Sequence, residues 1–347
     1  MNNGITICNP LEHPEWDTRL RNLPDSSIFH SAAWARVLTD TFGYKPQYFC
    51  SANGSFLSAA MPVMEVPGRH RKIRGKSLPF TDFCEPISSN KIHNFDLMEL
   101  ALKYGRERGW KRFDLRGGSG LHEHHPIFCS IFFHTVDLEK GEQDIYETFR
   151  SSTKRNIKKA ISGGVEIIRD QSLESVKAYY RLHCLTKKRQ GIFPQPFLFF
   201  RKIHEHVLDT NQGHIALAVL DGKPVAGTVI FHWNKDASYV YGASDLRYQH
   251  YRPHNLLMWD SIRWHARQGF KTFTLGVTDL NNDGLRQYKK GLSPTEEVRH
   301  YYRYDFEQNQ FLKHQESLYG ALRRIVCRKM PVPVLRAAGT LLYKYYG

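Results

Sequence analysis

One seven-residue phrase occurs twice in this chain. Gly109-Trp-Lys-Arg-Phe-Asp-Leu returns 160 positions later as Gly269-Phe-Lys-Thr-Phe-Thr-Leu, with four identities. Each copy closes an amphipathic helix with a glycine and opens an alternating strand. Helix-to-strand grammar alone places a glycine at such a junction. The order of elements around the two copies also matches, and duplication accounts for both. A length of 347 residues with 41% hydrophobic content allows two cores, so the chain reads as two similar halves.

The second half is the more explicit. His214-Ile-Ala-Leu-Ala-Val-Leu is apolar on both faces, the pattern of a central strand. Asp221-Gly-Lys-Pro turns the chain, Val225 to Trp233 returns it, and Asn234-Lys-Asp turns it again into Ser238-Tyr-Val-Tyr. A helix from about Asn255 carries Leu256, Trp259, Ile262 and Ala266 at spacings of three and four. Gly269 stops it, and Lys271 to Val277 follows as a strand. Gly276 to Gly284 then leads into a basic turn, Leu285-Arg-Gln-Tyr-Lys-Lys-Gly. In α/β sheets ligands collect beyond strand ends and at helix N-termini, and this stretch is where a site is expected.

The words Gly222-Lys-Pro-Val-Ala-Gly, Tyr241-Gly-Ala-Ser, Pro253-His-Asn-Leu-Leu-Met-Trp and Gly284-Leu-Arg-Gln-Tyr-Lys, in that order, resemble the FemAB-like branch of the GNAT acyltransferase superfamily. The resemblance implies an α/β (α+β) protein of two tandem GNAT-like domains with mixed central sheets. The expected divisions are 1–141, 142–306 with a linker helix at 143–161, and a helical tail at 307–347 that packs back on the body. The long helical arm of some relatives is absent. The implied activity is transfer of an acyl or aminoacyl group to an amine, on a cell-wall or surface-polysaccharide precursor. The alternative is an inactive GNAT-fold protein that binds an anionic ligand or nucleic acid.

In the first half, residues 28–41 form an amphipathic helix with Ser31 as N-cap. Two strands meet at Asn53-Gly54, Arg69 to Lys76 is a basic exposed loop, and a second helix spans Lys91 to Arg108. One helix is expected from Gln143 to Ile161, with Arg150, Lys154, Arg155, Lys158 and Lys159 as a basic ridge. Another runs from Leu173 to Lys187. A strand at Val298–Phe306 and a helix over 307–329 end the pattern.

Lys and Arg number 49 against 34 Asp and Glu, formally +15. Such a field suits an anionic partner: a phosphorylated small molecule, a lipid-linked substrate, transfer RNA or an acidic membrane face in peripheral contact. The opening residues lack a signal sequence, no apolar run approaches the ~20 residues of a spanning helix, and the six cysteines form no C-x-x-C pair. These features fit reduced thiols and a cytoplasmic protein, with the inner membrane face left open. Oligomeric state is not legible.

Arg116-Gly-Gly-Ser-Gly follows a strand but precedes no helix, which removes a dinucleotide loop. His122, Glu123, His124 and His125 are consecutive loop residues without zinc-binding spacing, and no metal is expected. No tightly bound cofactor is expected either. The resemblance implies acyl-CoA or aminoacyl-tRNA as donor, although Arg247-Tyr-Gln-His-Tyr-Arg-Pro-His-Asn lacks the glycines of an acetyl-CoA pyrophosphate loop. Asp279, past a strand end, is the first choice for a base. Tyr241 orients the substrate or donates a proton, Lys289 neutralises a phosphate or oxyanion, and Asp114 is a reserve base in the first half. Lys154, Arg189, Arg252 and Asn255 are the candidate substrate-binding residues, the arginines because a guanidinium grips phosphate oxygens in pairs.

Overall fold

The computed structural model describes residues 4–53, 56–68, 72–89, 92–118, 121–313 and 318–346. The turn at Gly54, residues 69–71 of the basic loop, Ser119-Gly120 and the side chain of His122 lie outside the described residues. The chain forms two compact units. One comprises Met1–Ile131, Arg299–Glu316 and Leu342–Gly347, the other Phe132–Val298 and Ser317–Leu341.

In the second unit, the strands Glu166–Asp170, Gly213–Leu220, Lys223–Trp233 and Asp236–Ser244 make an antiparallel meander. Every residue of Gly213–Leu220 is buried, which is why that strand is apolar throughout. The turn after it has positive φ at both Asp221 (49°) and Gly222 (73°), the conformation that two-residue hairpins require. The helix Pro253–Arg267 then carries the chain over the sheet to Thr272–Asp279, which lies parallel to Asp236–Ser244. Its Leu256, Leu257, Trp259 and Ile262 enter one core with Ile157, Ala218, Ile230 and Phe273.

The first unit repeats the scheme. Met64–Pro67 pairs antiparallel with Ile73–Ser77, the helix Ile92–Glu107 follows, and Trp110–Arg116 comes back parallel to Ile73–Ser77. The two echoed phrases thus begin the corresponding strands, and Gly109 and Gly269 are both left-handed, at φ 68° and 74°. Trp110 is buried against Gly75, where a Cβ would come 2.1 Å from the indole. These are two α/β units of matching element order, each with a mixed sheet, as the resemblance implied.

Several local expectations are corrected. The linker is two helices, Glu142–Thr148 and Ser151–Ser162. Phe149 turns extended (ψ 144°) between them, which seats its ring 5.3 Å from that of Trp259. The basic loop is a strand from Ile73 onward, and Leu285–Lys290 belongs to a helix, Asp283–Lys290, capped by the Asn282 side chain and closed by Gly291. Ser31 does cap a helix, Ala32–Phe42, by accepting from the Trp34 amide. At the C-terminal end, Thr295–Asp305 is a strand, residues 307–309 form a turn, Gln310–Phe311 pairs back onto it, and the helix begins at Leu318.

Candidate active site

The parallel pair in the second unit comes apart. Its register covers Asp236↔Thr272 to Ser238↔Thr274, yet the strands run on to Ser244 and Asp279. Just where pairing ends, Val229 faces Tyr241 and Ile230 faces Tyr239, leaving Val240 as an extra residue. Such a bulge re-aims side chains. Tyr239 joins the core cluster beneath the Pro253 helix, whereas Tyr241 meets the rings of Phe199 and Phe200 edge-on, at 6.0 and 5.8 Å. Gly242 lies against the Tyr239 hydroxyl, which a Cβ there would approach to 1.7 Å.

The N-terminus of the Pro253 helix stands at this gap. His254 lies between the rings of Tyr239 and Tyr288, at 6.1 and 5.7 Å. Its Nδ1 has no hydrogen-bond partner among the described residues. Burial, helped by the charge of Arg189, pulls this imidazole down to about 4 and keeps it neutral. Burial likewise holds the Tyr288 hydroxyl well above its ordinary value. Arg189 donates to the carbonyl of Ser244 at 3.2 Å, so it too stands at the end of the bulged strand. Arg252 is exposed and left-handed (φ 60°) as the helix N-cap, and Asn255 is buried one turn in. The helix end offers few backbone donors: Pro253 has no N–H, and that of Asn255 already reaches the Arg252 carbonyl at 3.0 Å.

Lys289 is 4% exposed and donates to the Val277 carbonyl at 2.8 Å, on the strand wall beyond the paired register. It is therefore not a surface lysine. Asp279 ends the same strand, exposed to solvent. Tyr239, His254, Asn255, Arg189, Arg252, Lys289 and Asp279 thus belong to the ends of these two strands and the helices beside them.

Three candidates stand apart from this group, the first being Tyr241, which the bulge leaves against Phe199 and Phe200 in place of the cleft expected of it. Lys154 donates to the Glu147 carbonyl at 2.7 Å and lies over the Tyr146 ring, closing the helix before it. Asp114 belongs to the first unit, in a cross-strand row in which Lys76 and Arg303 flank it on either side. Burial alone would raise its carboxyl, but Arg303, Lys76 and Arg112 hold it below the usual range, so it is fully engaged as a counter-ion. The same unit has a basic cleft of about 370 Å³ lined by Lys72, Arg74, Lys111, Arg112 and Tyr345.

Sequence reasoning missed His254, although the quoted Pro253-His-Asn contains it. It also missed a network under Lys289. His134 donates from Nε2 to Glu296 at 3.0 Å, and Arg286 and Lys290 pair with the same carboxylate. The Arg286 bond, with those from His134 and Lys290, draws Glu296 down to about 2. Burial, with the charge of Lys289, keeps His134 neutral.

The strand gap covered by a helix N-terminus falls inside residues 147–290, which match the family model described as an acetyltransferase (GNAT) domain. The chain resembles the FemAB-like GNAT proteins. Over 129 residues it is 23% identical to a lipid II:glycine glycyltransferase of Staphylococcus epidermidis, covering 37% of this chain and 30% of that protein. Over 158 residues it is 22% identical to a UDP-N-acetylmuramoylpentapeptide-lysine N(6)-alanyltransferase of Weissella viridescens, covering 44% and 46%. The match therefore spans less than half the length of either relative. The crystal structure of FemX superposes with a TM-score of 0.66 at 12% identity, over 92% of this chain and 99% of that one, a likeness of fold. Among the described residues, no helix of this FemAB-like protein is long and apolar enough to cross a membrane.

Proposed function

We propose that this protein transfers an acyl or aminoacyl group to an amine on an anionic, lipid- or nucleotide-linked cell-wall precursor. The observation that carries the reading is the parted strand pair. Its inner edges leave the ladder at Ser238 and Thr274, and an unpaired edge can hydrogen-bond an extended amide-bearing chain. The names of the relatives supply the acceptor class.

The attacking amine must lose a proton and the carbonyl oxygen must gain charge. His254, inside the gap with an unpartnered Nδ1, is proposed ahead of Asp279 as the group that receives the proton. Asp279 sits at the rim. Lys289 is proposed to supply positive charge on the opposite wall, and Arg189 and Arg252 to hold phosphate oxygens. The sparse donors at the Pro253 helix end favour aminoacyl-tRNA over a coenzyme A pyrophosphate as donor.

The test offers the purified protein labelled aminoacyl-tRNAs and, separately, labelled acyl-CoAs, each with lipid II and with UDP-linked muramyl pentapeptide. Label transferred from aminoacyl-tRNA is the expected result. Transfer from acyl-CoA alone would overturn the donor assignment. Silence with both donors, alongside tight binding of either acceptor, would establish the binding protein instead.

A further inference from the structure

At the end where the two parted strands are still paired, the second unit gathers three histidines that the chain keeps well apart. His214 is the second residue of the strand Gly213–Leu220, His232 lies near the end of Lys223–Trp233, and His265 is on the last turn of Pro253–Arg267. The two strands are antiparallel neighbours with His214 opposite Ile230, so His214 and His232 are diagonal partners on one face. The helix lowers His265 onto that face. One nitrogen from each ring lies within 4.8 Å of the others.

The hydrogen bonds say where the lone pairs are. His265 Nδ1 is 2.6 Å from the Ser261 carbonyl, which only accepts. The proton is therefore on Nδ1, and Nε2 presents a lone pair. That Nε2 faces His232 Nε2 at 3.0 Å. His214 is 5% exposed, and its Nε2 is buried without any partner. A core packed only for its own sake would not leave an imidazole nitrogen orphaned beside two others.

We propose that His214, His232 and His265 bind one zinc ion. Zinc holds imidazole nitrogens at about 2.0–2.1 Å, which sets tetrahedral ligand atoms about 3.3–3.4 Å apart. The present spacings bracket that value, so rotation of the rings closes the site. Trp264, Phe270 and Phe273 wall the trio, with Trp264 and His214 ring centres 5.1 Å apart and Phe270 and His232 4.9 Å apart. His232 is only half-buried and leaves an approach for the metal and for a water as fourth ligand. Arg169 is the nearby cation, and Asp260 pairs with it and with Arg263. Ten residues of helix, about 15 Å, separate His265 from Asn255. The ion would act as a staple between helix and sheet and take no part in the reaction.

Cobalt(II) titrated into the chelator-treated full-length protein tests the proposal without relying on any variant. The expected result is the intense visible spectrum of tetrahedral cobalt, saturating at one equivalent and abolished by one equivalent of zinc, with a thermal midpoint raised by zinc. His214→Ala should weaken binding at least about a hundredfold, as loss of a direct ligand does, and lose the zinc-dependent rise in midpoint. Folded wild-type protein that gives only the pale spectrum of hydrated cobalt and no zinc-dependent midpoint overturns the site. So does an unaltered cobalt spectrum in folded His214→Ala.

Discussion

Lys76 is held in a row of charges that its own strand did not advertise. Burial first, then Arg116, Arg74 and Arg112, bring it down to about 7 despite the opposing pull of Asp114. An unfolded lysine titrates near 10.4. Between about pH 7 and 10 the unfolded chain therefore binds more protons than the folded one, and stability rises with pH across that window. Urea unfolding of the wild type should show this slope, and Lys76→Met should flatten it. Equal slopes in both proteins would contradict the assignment. At the candidate site, His254→Gln should lower kcat by about a hundredfold or more with little change in KM, as loss of a proton acceptor does. Asp279→Asn should act mainly on KM. Reversed effects would return the role of base to Asp279. His254 was written in the sequence as plainly as Asp279. What singles it out is its half-buried place between the rings of Tyr239 and Tyr288, a tertiary fact without periodicity.

Helices and strands were largely legible because apolar spacing and glycine stops are local. Gly43, Gly109, Gly191 and Gly269 all end helices in left-handed conformations. The break at Phe149 was not legible, since Ile145, Phe149 and Ile157 keep a helical spacing, and the extended backbone there goes with a tertiary contact between Phe149 and Trp259. The gap between Asp236–Ser244 and Thr272–Asp279 was equally hidden, because where a ladder stops depends on the partner strand. Gly191 offers an element-scale test. Its φ is 72°, and a Cβ would fall 2.5 Å from the Arg324 carbonyl on the helix Leu318–Lys329. Gly191→Ala should cost at least about 1–2 kcal/mol from the left-handed backbone alone, more with the contact. A thermal shift measures it; an unchanged midpoint would mean that the two helices separate freely.

At the scale of the molecule, the excess of positive charge predicts how acceptors are recognised. If Arg189 and Arg252 hold phosphate, raising ionic strength should increase KM for a phosphorylated acceptor several-fold while kcat stays constant. Arg252→Ala should raise KM at low salt and reduce that dependence. A salt response identical in wild type and variant would remove Arg252 from the site. The duplication was visible in one phrase of seven residues, and the resemblance named the fold. The three histidines were invisible, because nothing in a linear chain announces that a strand start, a strand end and a helix end will meet.

The first unit is assembled from three separate pieces of chain, the second of them contributing the strand that pairs with Trp110–Arg116 and places Arg303 beside Asp114 across 189 residues. On the ribosome, where synthesis runs at about 5–20 residues per second, the opening 131 residues emerge long before that strand. They must wait through the synthesis of most of the other unit with Asp114 and the edge of Trp110–Arg116 uncovered. The half made first is thus the half completed last, and a nascent chain stalled before Arg299 would expose an unpaired edge to chaperones or to aggregation.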